Sequence, residues 1–161
     1  MSNGKGLQPT KYGAKKYNLK STVDFDVAVK YGTVLMAIAG ADGELAEPEL
    51  QWYIDEQELL AENSQEYIDT LRTLDWKKAS IQDLLNEIKY DFPINSRRVM
   101  LYHAIKMSRA DGNYHEQEKA AVAKAAEILE IERSIVVSLE SLAEMEEASD
   151  RLRLALFETE V

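Results

Sequence analysis

A chain of 161 residues with 29 acids against 19 Lys and Arg has a formal charge of −10. It is long enough to bury a core as one domain and too acidic to offer nucleic acid a basic face. It has no cysteine, which excludes a disulfide framework, a thiolate metal site and a Cys nucleophile. No apolar run approaches the length of a bilayer span and the N-terminus lacks a signal-peptide core, so the expectation is a cytoplasmic protein without a transmembrane segment.

Residues 1–22 hold five lysines (Lys5, Lys11, Lys15, Lys16 and Lys20) and no acid. With their glycines and lack of apolar periodicity they read as a flexible, lysine-rich tail, leaving residues 23–161 as the folded domain. From there the apolar spacing is helical. Val27, Tyr31, Val34, Leu35 and Ile38 make one stripe; Leu50, Tyr53, Ile54 and Leu60 make the next. Tyr67, Leu71 and Leu74 mark a third helix. Ser80 caps a fourth, carrying Ile81, Leu84, Leu85, Ile88 and Phe92 with Asp83 in its first turn, and Pro93 stops it. Asn95 or Ser96 caps a fifth with Leu101, Tyr102 and Ile105. Val122, Ala125, Ala126 and Leu129 follow, and the pattern from Ile135 to Leu156 makes one long helix or two. No segment alternates as a sheet strand does. The prediction is an all-α single bundle of about seven helices.

Between the first two stripes, and again after the fifth, the same phrase recurs. Ala41-Asp42-Gly43-Glu44-Leu45-Ala46-Glu47-Pro48-Glu49 is matched by Ala110-Asp111-Gly112-Asn113-Tyr114-His115-Glu116-Gln117-Glu118, a shared A-D-G-x-x-x-E-x-E. This implies an internal duplication of a helix-turn-helix unit, residues 27–61 being equivalent to 96–130. As a structural joint, Asp-Gly makes the turn, Ala46 and His115 stand at the N-cap, and Glu49 and Glu118 fall at N3, where a carboxylate satisfies free amides. As a cation loop, the spacing from Gly43 to Glu49 and from Gly112 to Glu118 matches the second half of a calcium loop, with Asp42 and Asp111 before each glycine. The first half is missing: its ligand places hold Ile38 and Gly40, or Met107 and Arg109. One copy therefore cannot surround a hard cation, whereas two copies facing one another supply four carboxylates. Both readings stand at this level.

The repeated phrase in a small acidic helical chain resembles the TerB family of bacterial tellurite-resistance proteins over about residues 25–145. The resemblance implies an all-helical duplicated bundle, a role in tellurite and stress resistance, and partners among the other proteins of a stress-response complex. It also implies a divalent metal site, which carries over to Asp42, Glu49, Asp111 and Glu118. Family members often have Ser or Thr where this chain has Ala46 and His115, which removes a side-chain cap. The ion is Ca, Mg or Mn on oxygen ligands, or Zn if the His115 imidazole joins. Glu47, Glu116 and His115 are possible outer-shell residues of that site; the first two are equally explained by the helix dipole, and His115 by solvent.

The remaining chemistry-bearing residues have plainer readings. His103 has no Glu at E-x-x-H spacing and is not a di-iron ligand. Trp52 and Trp76 read as partly buried packing residues, and Glu140, Glu144, Glu146, Glu147 and Asp150 as a solvated helix face. No nucleophile elbow, phosphate loop or H-E-x-x-H motif is present, so no enzyme is expected. The alternative to ion binding is an ion-independent acidic helical module that docks proteins, and a homo-oligomer is compatible with either.

Overall fold

The computed structural model describes residues 6–158. Eight α-helices lie among them: α1 (Lys11–Tyr17), α2 (Phe25–Ala39), α3 (Glu47–Leu60), α4 (Gln65–Leu71), α5 (Ile81–Ile88), α6 (Ile94–Arg109), α7 (Glu116–Ile128) and α8 (Arg133–Glu158). The all-α class holds. Three short strands, β1 (Gly6–Pro9), β2 (Val23–Asp24) and β3 (Ala61–Glu62), form a small antiparallel sheet in the order β2-β1-β3.

The core lies between α2 and α6. Val34, Leu35, Ile38 and Ala39 of α2 and Leu101, Ala104, Ile105 and Met107 of α6 are completely or almost completely buried, as the two equivalent stripes required. α3 and α7 follow them as the second helix of each repeat, α4 and α5 cover α2, and α8 covers α6. Tyr53 and Tyr67 bring their hydroxyls 3.0 Å apart, and Tyr67 donates to the Ala28 carbonyl at 2.7 Å, so their buried polar ends are satisfied.

The N-terminal segment departs from the sequence reading. Residues 1–5 lie outside the described residues, but residues 6–22 include β1 and α1 and are docked on the body. β1 pairs on one side with β2 (Leu7↔Val23) and on the other with β3 (Pro9↔Ala61), tying the entry of α2 to the exit of α3. Thr10 caps α1 by accepting from the Gly13 amide at 2.9 Å and also donates to the Leu59 carbonyl at 2.6 Å. Gly13 permits this approach: a Cβ there would stand 2.4 Å from the Leu60 carbonyl oxygen. Lys16 and Tyr17 then both reach Glu56, at 2.9 and 3.0 Å. The lysines that suggested solvent flank a few residues, Leu7, Gly13 and Tyr17, whose burial follows from docking and not from a helical stripe.

Other boundaries moved by smaller amounts. The extra helix, α1, raises the expected seven to eight. Ser80 does cap α5, accepting from the Asp83 amide at 3.2 Å, but the helix tightens into a 3-10 turn over Lys89–Asp91 before Phe92. α6 starts directly after Pro93, which occupies the N-cap position expected for Asn95 or Ser96. The stretch from Ile135 to Leu156 is one helix, separated from α7 by Glu130 in the left-handed region at φ 60°. No helix among the described residues is long and apolar enough to cross a membrane.

Candidate functional site

The two phrases fold alike, bond for bond. Ala41 N–H donates to the Ile38 carbonyl and Ala110 N–H to that of Met107, both at 3.1 Å. Gly43 N–H reaches the Gly40 carbonyl at 2.9 Å and Gly112 N–H that of Arg109 at 3.0 Å. Gly43 and Gly112 both adopt positive φ, 100° and 87°, which a Cβ would strain. Asp42 and Asp111 each turn Oδ1 back onto the amide two residues on, Glu44 at 3.1 Å and Asn113 at 2.9 Å. The helices begin as expected: the Ala46 amide donates to Glu49 Oε1 at 2.8 Å and the His115 amide to Glu118 Oε1 at 2.9 Å. Neither N-cap side chain bonds to the backbone, so only the glutamate half of a capping box is made.

Each glutamate thus uses one oxygen locally and keeps one. Glu49 is 1% exposed and Glu118 0%, and Oε2 of each is buried without a hydrogen-bond partner. The two carboxyl groups are close neighbours across the repeats. Burial is the largest cause pushing the Glu49 carboxyl up to about 9; Glu118 beside it and the Asp111 charge add to the rise, and the Ala46 amide opposes it. Burial raises Glu118 as well, with the Asp111 and Asp42 charges, against the neighbouring Glu49 carboxyl and the hydrogen bond from the His115 amide. Two buried carboxylates side by side repel, so the pair retains a proton or is compensated by a cation.

Asp42 and Asp111, toward the surface, lie within electrostatic reach of the buried Glu49 and Glu118. His115 joins them: Nε2 lies 3.5 Å from Asp42 Oδ2 of the other repeat. Glu47 and Glu116 do not, since their carboxylates face solvent beside Arg72 at 3.6 Å and Lys119 at 3.4 Å. Among the described residues, no three His, Asp or Glu side chains are grouped so as to hold a metal ion.

The acidic face of α8 is not simply solvated. Glu147 takes a bidentate pair from Arg109 at 2.8 and 2.9 Å, Glu140 accepts from the Tyr114 hydroxyl at 2.8 Å, and Glu146 from that of Tyr102 at 2.5 Å. Arg109 precedes the second phrase and Tyr114 lies within it, so α8 clamps that loop. Tyr31, read from the sequence as part of an apolar stripe, and His103, read only as no di-iron ligand, form a pair whose hydroxyl and Nδ1 lie 2.5 Å apart. His103 is 3% exposed, burial lowers its pKa to about 3, and Nε2 has no partner. No local pattern marks such a pair.

Duplicated helical hairpins joined by acidic Asp-Gly loops, meeting through buried glutamates, define a class of small all-helical protein. A family model described as "Tellurite resistance protein TerB" matches residues 50–140, and the chain belongs to this family. The crystal structure of a tellurite resistance protein from Nostoc punctiforme is similar, with 28% identity, a TM-score of 0.70 and coverage of 92% of this chain and 90% of that one. No curated protein matches the chain.

Proposed function

We propose that this TerB-family protein acts in tellurite and stress resistance by binding one divalent cation between its two Asp-Gly loops. The observation that carries the reading is the pair of buried, unpartnered Oε2 atoms of Glu49 and Glu118, neighbours that come from separate repeats. Each offers the oxygen not used at its helix start, and Asp42 and Asp111 offer the carboxylate oxygens not used in their turns. An all-oxygen set of this kind suits Ca²⁺, Mg²⁺ or Mn²⁺, and rotation of His115 toward the cluster would favour Zn²⁺. The bound ion would supply positive charge in place of the retained proton, so affinity rises with pH. The role is one of binding, not catalysis, and the placement of the ion between repeats couples its presence to their packing.

Titration calorimetry and thermal melting with each of the four ions test this. A binding ion stabilises the native state by about 2.7 kcal/mol at 100 times its Kd. The double variant Asp42→Asn, Asp111→Asn keeps both turns and should lose that gain.

One observation favours a second reading, an ion-independent module that docks proteins of a stress-response complex. Met145, Leu152 and Leu156 lie along one stripe of α8 and are 62–68% exposed. If no ion alters the melting of the unmodified protein, this reading survives and the loops are joints.

A further inference from the structure

A cavity of about 610 Å³ opens between the N-terminal segment, α2, α3 and the start of α6, and none of the four clustered acids lines it. Its size falls within the roughly 300–1,000 Å³ of small-molecule sites. Tyr17, Tyr31, Tyr53, Tyr67 and Phe92 line the wall. The four tyrosine hydroxyls already have protein partners, in Glu56, His103, one another and the Ala28 carbonyl; Tyr53 and Tyr67 are fully buried, and the partly exposed rings of Tyr17, Tyr31 and Phe92 are the surface a ligand can cover.

Besides His103 Nε2, which has no partner, Gln57 is the exception. It lines the cavity at 6% exposure, and its side-chain amide has no hydrogen-bond partner among the described residues. Its amide is not among the fully enclosed unpartnered atoms, so it reaches the cavity, where it can donate to a ligand acceptor. The charged lining residues, Lys20, Asp24 and Asp91, are exposed and belong to the rim. His103, on the wall, is held neutral by its burial. The interior offers an ionic ligand no opposite charge, and desolvation excludes it.

We propose that this cavity binds an uncharged, planar aromatic molecule whose carbonyl oxygen accepts a hydrogen bond from the Gln57 side-chain amide. The docked N-terminal segment is then one wall of a binding site and not only a brace. The site is independent of the acidic loops, so ion binding and aromatic binding stand or fall separately.

The test uses the full chain and two neutral naphthalene fluorophores. One is prodan, which carries a ketone; the other is N-phenyl-1-naphthylamine, which carries none. Prodan should bind saturably at one site with blue-shifted emission. Val99→Trp, which fills the cavity, should weaken both probes at least tenfold. Gln57→Leu should weaken prodan about three- to tenfold, the worth of one hydrogen bond, and leave N-phenyl-1-naphthylamine within twofold. Melting midpoints verify that each variant is folded. Should one fail to fold, amide chemical-shift changes in the unmodified protein take its place, and they should centre on Val27, Leu60 and Val99. Absence of saturable binding, full binding by folded Val99→Trp, shifts centred elsewhere, or equal loss of both probes in Gln57→Leu would overturn the proposal.

Discussion

The loops at Asp42 and Asp111 have the same turn, the same positive-φ glycine and the same buried glutamate, yet they are braced from outside by different physics. Before the first A-D-G stands Gly40, against which the Trp76 ring packs so closely that a Cβ would come within 2.4 Å of it. Before the second stands Arg109, tied through a bidentate pair to Glu147 of α8 and lying over the Tyr114 ring at 5.6 Å. The helices differ in the same way. α3 of the first repeat is covered by α1 from the N-terminal segment, whereas α6 and α7 of the second are covered by α8. Duplication preserved what each loop does with its own atoms, and the two flanks supplied separate supports.

The largest way to break this comparison is to remove one support. Deleting residues 1–19 exposes the Leu7 site and strips Glu56 of Lys16 and Tyr17, so urea unfolding should register a loss of about 3–5 kcal/mol. A variant as stable as the parent would mean that α3 needs no brace.

The buried glutamates make the ion-free protein sensitive to pH. Glu49 keeps its proton up to about 9 in the folded state, against an ordinary value of 4.5. The folded chain therefore holds a proton that the unfolded chain releases, and this contribution is complete below about 4.5 and is lost as pH rises toward 9. Glu49→Gln retains the acceptor for the Ala46 amide and gives Glu118 a permanent N–H donor. Urea midpoints between pH 5 and 8.5 should fall in the parent and stay more nearly level in the variant; parallel curves would contradict the shared-proton pair.

A smaller pair of changes separates packing from charge. Gly40→Ala forces Trp76 to move and should cost about 1–3 kcal/mol at any ionic strength. Arg109→Ala should cost about 1 kcal/mol at low salt and less in 1 M salt, because its partners are partly solvated. Equal salt dependence in the two unfolding series would show that the braces are not different in kind. Smallest of all, Glu47→Gln and Glu116→Gln alter side chains 71% and 88% exposed. Stability should stay within about 0.5 kcal/mol and the ion response should not change, which calorimetry can check at the same ion concentrations.

What was readable in the chain is what acts over a few residues. Helical periodicity placed α2, α3, α6 and α7. The spacing from Asp to Gly to Glu anticipated the Asx turns, the positive-φ glycines and the carboxylates at helix position N3, because each of these bonds spans four residues or fewer. The family resemblance came from the same phrase. Tertiary structure alone decided that Glu49 lies beside Glu118, that His115 reaches Asp42, and that Arg109 and Tyr114 engage α8. It also decided that a lysine-rich start, which reads as solvated, lies against α3 and closes a cavity around Gln57. Each of these pairs residues far apart in the chain. Their energies depend on burial and on which neighbour removes the water, and neither quantity is set until the helices have packed.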